Sequence, residues 1–434
     1  MNSISYSKSI PIIGNHDVVI AGSGPAGICA AVAAAREGVD VALIERYGVV
    51  GGNLSVGHVG PILGMVSKGT MRDEVVSLLG VDKNDMIGEI GVAHDMERAK
   101  RVLADFVNME NITVYLQNTV SDVIMDGDTV KGLIISGKEG LSAVMGKIVI
   151  DCTGDADVAF LSGVPTEKGR EDGLMQPVTL EFTLTGIDED KAIVCIGDVD
   201  EVQFNGKRFL DYCKECAENG ELPPALAAVR LHRTSTPGER QVNTTQLNRI
   251  DSTKTEDLFK AEVELRNQIK IITDFCKSHL PGYENCKVSS SGTTIGVRES
   301  RRIVGEYVMK VEDVADGRRF QDAIVHKAEF IVDIHNPNGA GQAEAKIQYS
   351  KPYDIPYRAF VPLVVQGLLV AGRCISGTHK AHASYRVMSI CMAMGQAVGI
   401  ASALCVKKNI LPRVLDAKEI QDVLIQKGVD LFSI

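Results

Sequence analysis

Hydrophobic residues in this chain gather into short unbroken runs. Residues 18–21, 39–44, 148–150 and 368–371 are almost wholly Val, Ile, Leu and Ala, the pattern of strands covered on both faces of a parallel sheet. Three further short runs, 112–116, 119–124 and 130–135, predict a meander with a turn at Asp126-Gly127-Asp128. An alanine-rich helix is predicted to run to about Glu37, with Gly38 as its terminator. Residues 256–276 carry apolar side chains at Leu258, Val263, Leu265, Ile269, Ile272 and Phe275, which predicts an amphipathic helix. Residues 387–405 hold no charge and are nearly long enough to cross a bilayer. Their small residues (Ala393, Gly395, Ala397, Gly399, Ala401) favour close packing against protein, so a buried helix is expected there and no membrane contact.

The first run ends directly in Gly22-Ser23-Gly24-Pro25-Ala26-Gly27 and is followed by helix, strand and Glu45. In such a unit Gly22 permits the tight turn, Gly24 lets backbone approach a pyrophosphate, and Gly27 lets helix and strand pack closely. The helix N-terminus offers unpaired N–H groups to phosphate, and Glu45, about 20 residues on, can accept ribose hydroxyls. GxGxxG alone is weak. In its strand–turn–helix–strand–acid context it points to a bound dinucleotide, without choosing between NAD and FAD.

Charge and cysteines narrow the partners. Forty-six basic against 56 acidic residues leave a net charge of −10, which argues against nucleic acid. The N-terminal residues lack a secretory pattern, and ten cysteines are scattered singly through apolar segments, so a reduced cytoplasmic setting is expected. Cys213 and Cys216 form the one CxxC. No second pair follows and the neighbours are charged, so the pair is taken as structural on a solvated helix, with no metal expected.

The residues after Glu45 supply the choice of cofactor by resemblance. Arg46, then the paired Gly51-Gly52 and Asn53, resemble the second phosphate and flavin contact of the large FAD family that shares the glutathione-reductase fold. Thr153-Gly154, closing the run at 148–150, resembles the mid-chain flavoprotein strand that ends in Thr-Gly near the cofactor. Gly372, closing the run at 368–371, resembles the last flavin-contacting strand, although Arg373 stands where an Asp often follows. The meander, with Val120, is where such folds hold the adenine end. With residues 241–245 and 295–302, these pieces resemble a broad family of bacterial FAD-dependent oxidoreductases, distantly similar to fumarate reductase and to the flavoprotein of tRNA wobble-uridine modification. The resemblance implies an α/β fold: a Rossmann-like FAD domain from residues 1–170 and 352–434, with an inserted α+β substrate domain at 171–351. It also implies that the N-terminus of the helix beginning near Tyr385 faces the flavin.

Candidate chemistry lies outside the dinucleotide unit. Arg298, near Arg301 and Arg302, could clamp a substrate carboxylate in two-point fashion. If that segment is a strand, Arg298 and Ser300 share one face and Glu299 and Arg301 the other. Asp333 and His335 are predicted on one face of a strand, where the carboxylate would raise the histidine's basicity for proton transfer. His379 and His382 stand in a predicted loop before the last helix, followed by Arg386. His58 follows the paired glycine, at a spacing too loose to assign covalent flavin attachment. There is no CxxxxC of disulfide reductases and no second GxGxxG for NAD(P)H. The expected function is hydride transfer between FAD and a small polar organic substrate, with dehydrogenase, oxidase and reductase all open. A flavin monooxygenase and a flavin-binding electron-transfer subunit are the alternatives. The electron partner and the oligomeric state, a homo-oligomer included, stay open.

Overall fold

Seven strands build the main sheet: β1 (Ile12–Ala21), β2 (Val41–Glu45), β3 (Thr113–Leu116), β4 (Thr119–Asp126), β5 (Thr129–Gly137), β6 (Gly140–Asp151) and β7 (Leu368–Val370). This is a computed structural model, and it describes residues 4–81, 86–87, 90–91, 93–195, 201–339, 341 and 348–431. The ends of the expected domains, 1–3 and 432–434, lie outside the described residues. Along the sheet the order is β3-β2-β1-β6-β5-β4, with β7 also on β6. The β3, β2, β1, β6 and β7 neighbours run parallel, while β4 and β5 turn back antiparallel onto the first half of β6. β1 is longer than its buried apolar run: only its last four residues are buried, and the first six, which begin with the exposed Ile12 and Ile13, carry no continuous apolar run.

Three helices matter for the site: α1 (Pro25–Arg36), α2 (His379–Tyr385) and α3 (Met388–Lys408). A Cβ at Gly395 would lie 2.0 Å from the Ala26 carbonyl oxygen, and one at Gly399 would lie 2.3 Å from that of Ala30. The small residues of α3 therefore bring its backbone onto α1. Within its most apolar window, 89% of α3 is buried inside the protein. The expected loop at 379–386 is instead helical to Tyr385, capped by the Thr378 hydroxyl, which accepts from Ala381 N.

The insert has its own antiparallel sheet, Leu231–Arg233, Glu239–Val242, Phe182–Thr185 and Lys287–Ser291 in that order. Its core draws on residues between Val178 and Ile295. From Ile303 onward the buried side chains join the first core, so packing returns to the main sheet well before residue 352. The long helix Thr255–His279 buries Ala261, Leu265, Gln268, Ile269 and Ile272. Leu258, in the first turn, lies on the stripe that faces the core yet is 37% exposed, whereas Val263, 48% exposed, lies off that stripe. On the helix Phe209–Glu218 both Cys213 and Cys216 are buried, so the CxxC lies on the covered face rather than in solvent.

Candidate functional site

A cleft opens at the carboxyl ends of β1, β2, β6 and β7, where open parallel sheets bind nucleotides. Of the residues picked for the cofactor, Gly22, Ser23, Gly24, Pro25, Ala26, Glu45, Arg46, Gly52, Asn53, Val120, Thr153, Gly154, Gly372 and Arg373 all line it. Gly27 and Gly51 do not, and their surroundings give each another task. A Cβ at Gly27 would sit 1.9 Å from the Gly22 oxygen, so this glycine sets how closely α1 meets β1. Gly51 has φ of 111° and donates its N–H to the Ser23 oxygen at 2.9 Å, tying the paired-glycine loop to the first turn.

The residues present fit a dinucleotide. A Cβ at Gly24 would meet no protein atom within 4 Å, so its open space faces the cleft. No side chain caps the N-terminus of α1, and its first N–H groups are left for an anion. Glu45 is buried at the end of β2, held by Ser23 N at 2.9 Å and Tyr47 N at 2.8 Å, with acceptor capacity to spare. Arg373, which breaks the family pattern, has a carboxylate beside it: its Nη2 lies 3.3 Å from Asp155 Oδ1. Where the family pattern has an acid after Gly372, this chain thus has an arginine beside an acid from the loop that follows the neighbouring strand. Asp155 also lines the cleft with Asp157, whose carboxyl is pushed up to about 6 by burial and by Asp155. Sequence reasoning passed over both, although Asp155 directly follows Thr153-Gly154.

The catalytic candidates divide. Arg386, with Met388 and Cys391 at the start of α3, lines the cleft. Its Nη2 donates to the Asp333 carboxylate at 2.8 Å and to the Asp333 carbonyl at 3.1 Å. Asp333 Oδ2 lies 3.4 Å from His335 Nε2. The two residues meet as expected, but on irregular chain rather than on a strand. Burial, then Arg298, pulls His335 down to about 4 against the opposing pull of Asp333, so the expected rise in basicity is reversed. Arg298 is buried, donating to the Pro177 carbonyl at 2.9 Å and to Asn243 Oδ1 at 3.3 Å. Burial also raises the Glu181 carboxyl, while Arg298 and Arg230 oppose that rise.

His379 and His382 lie elsewhere. His379 Nδ1 is 2.8 Å from Glu299 Oε1, and His379 borders a second, open cavity with Arg302, Lys310 and Lys380. Glu299 pairs with Arg302, three residues on, and Arg301 with Asp157, so the strand-face pattern predicted for residues 298–301 does not hold; the strand begins only at Arg301. His382 is buried against the Tyr385 ring and is held well below the usual histidine range by burial and Arg302. His58 also stays off the cleft, 2.8 Å from Thr183 Oγ1, and burial holds it near 4.

Comparison with known proteins places the chain among flavoproteins. Over 175 residues the chain is 28% identical to digeranylgeranylglycerophospholipid reductase 2 of Methanococcoides burtonii, covering 36% of this chain and 43% of that protein. Over 238 residues it is 24% identical to a soluble pyridine nucleotide transhydrogenase of Mycobacterium tuberculosis, covering 50% of this chain and 47% of that protein. The matches thus span less than half the length of these curated relatives. A geranylgeranyl bacteriochlorophyll reductase-like protein of Thermoplasma acidophilum has been solved; it superposes with a TM-score of 0.49 at 13% identity, over 95% of this chain and 84% of its own. Residues 17–424 match the family described as FAD dependent oxidoreductase, and the chain belongs to that family as an FAD-dependent enzyme.

Proposed function

We propose that the protein oxidises or reduces a small organic anion by hydride transfer with FAD, and that the anion is held between Arg298, Arg386 and His335. Bound FAD supplies the hydride acceptor or donor. The observation that carries the reading is Arg386: it lines the FAD cleft and also reaches, through Asp333, the buried His335. One line of contacts therefore joins the cofactor's cleft to a polar cluster under the insert.

The charge of that cluster supports an anionic substrate. Among the described residues, Arg298 feels two further guanidiniums (Arg230, Arg386) and two carboxyls (Glu181, Asp333), three cationic groups to two acidic ones. A planar guanidinium gives a carboxylate two parallel hydrogen bonds, which fixes the substrate's orientation as well as its position. His335 Nδ1 and Gln176 Nε2 are buried without a hydrogen-bond partner, a costly arrangement that a bound polar molecule relieves. The Asp333 carboxylate can only accept, so it holds the His335 proton on Nε2 and leaves Nδ1 as a free lone pair. His335 is neutral at pH 7, so Nδ1 takes the proton that the substrate loses as its hydride departs, or returns it in the reverse direction.

The test is anaerobic mixing of the FAD-loaded enzyme with a panel of small hydroxy- and amino-carboxylates, following the flavin absorbance. Bleaching by a carboxylate, slowed about 10²–10⁴-fold in His335→Gln at unchanged FAD content, is expected. Arg298→Met should raise the substrate concentration needed for half-maximal rate. Unchanged kinetics in both variants would falsify the assignment. Oxygen consumption with a hydroxylated product under an external reductant would replace it with the monooxygenase reading.

A further inference from the structure

We infer that Cys216, Glu221 and His279, in the insert and off the FAD cleft, form a binding site for one zinc-type divalent ion. A thiol sulfur, a carboxylate oxygen and an imidazole nitrogen from these residues all lie within 4.8 Å of one another. Sulfur, nitrogen and oxygen donors with one position left for water match the ligand set and four-coordinate habit of zinc.

The framework holds the three in place before any ion arrives. Cys216 is on the covered face of the helix Phe209–Glu218, and the chain then turns so that Glu221 N donates to the Cys216 carbonyl at 2.8 Å. His279 ends the long helix Thr255–His279, its ring stacked on Phe275 at 4.5 Å between centroids. Its Nδ1 lies 3.2 Å from the Phe275 carbonyl, an acceptor, so Nδ1 carries hydrogen. This is the outer-shell contact that orients metal-binding histidines. The other nitrogen, Nε2, faces a second acceptor, Glu221 Oε2, at 3.0 Å. An ion seated beside Nε2 would take the imidazole lone pair and a Glu221 carboxylate oxygen together.

The Cys216 thiol is hydrogen-bonded to Glu221 and closes the triangle; Cys213 is buried in the same core, but only Cys216 joins the cluster. A thiolate, a carboxylate and a neutral imidazole exactly offset a doubly charged ion, and the thiol proton passes to water as the ion binds. The side chains of Glu221 and His279 are 41% and 26% exposed, which gives the ion a way in and leaves room for a water ligand.

The FAD-loaded protein, treated with chelator, desalted and given one equivalent of Co2+, is expected to show the ligand-field bands of a four-coordinate cobalt–thiolate centre, to the red of the flavin bands. One equivalent of Zn2+ should remove them. Cys216→Ser and His279→Ala should each lose the bands while the flavin spectrum, and so the fold, is retained. Failure of the unmodified protein to retain cobalt or zinc after desalting overturns the site. So does retention that is equal in the unmodified protein and both variants.

Discussion

A side chain added at Gly27 would place its Cβ 1.9 Å from the Gly22 oxygen, whereas one added at Gly24 would find no protein atom within 4 Å. Both glycines belong to one motif, but the first answers to the protein and the second to the ligand. Gly24 has φ of −64°, open to any residue, so its backbone does not ask for glycine. Gly24→Ala is therefore expected to leave the FAD-free protein within about 1 kcal/mol of its stability. It should weaken FAD binding about tenfold or more, the size of one lost charge-assisted hydrogen bond. Gly27→Ala should do the reverse in order of cause: loss of about 1–3 kcal/mol or more of stability from overpacking, with FAD binding lost as a consequence. Urea unfolding of the FAD-free proteins, beside an FAD titration of each, separates the two. Equal destabilisation by both would mean that Gly24 is also a packing glycine.

The same logic governs α3, where Gly395 and Gly399 meet the carbonyl oxygens of Ala26 and Ala30 at Cβ distances of 2.0 and 2.3 Å. Helices this close bury backbone against backbone, and nothing but the far helix can move. Gly399→Val is expected to cost more than the usual 1–3 kcal/mol of core overpacking, because α1 would have to shift and it carries the cofactor turn. A lowered urea midpoint together with weaker FAD retention checks this, and a variant that holds FAD normally contradicts it. Elements of this kind were legible in the sequence. Apolar runs marked the buried halves of the strands, and the string of small residues marked α3 as a helix made for protein contact. The polar cluster was less legible. Arg298, Asp333 and His335 come from irregular chain, where neither a two- nor a 3.6-residue period exists to say which side chains meet. A strand at 298–301 would have set Glu299 on one face with Arg301, whereas it pairs with Arg302, and reading 379–386 as a loop brought His379 and His382 toward a cleft that they do not line.

At the scale of the molecule, the FAD cleft is not the property of one core. Thr294, Ile295 and Val297 from the insert line it, and the loop after Glu45 is bound to the insert at several points. Tyr47 Oη donates to Thr294 Oγ1 at 2.9 Å, Gly60 N donates to Gln241 Oε1 at 3.1 Å, and Thr293 N donates to the Val56 oxygen at 2.9 Å. His58 adds its contact with Thr183, inside the strand Phe182–Thr185. No residue of that strand lines the cleft, so FAD can protect it only by holding the two cores together. Ligand at 100 times its dissociation constant stabilises the state that binds it by about 2.7 kcal/mol. If the insert opens only when the whole molecule opens, backbone amides of Phe182–Thr185 should exchange up to about a hundredfold more slowly with FAD than without it. Hydrogen exchange of the two forms, read on peptides covering residues 178–186 and 20–30, decides the matter. Slowing in both peptides means that cofactor, main sheet and insert form one cooperative unit. Slowing confined to residues 20–30 means that the insert opens on its own, and that the contacts of Tyr47, His58 and Gly60 are too weak to couple it to the cofactor.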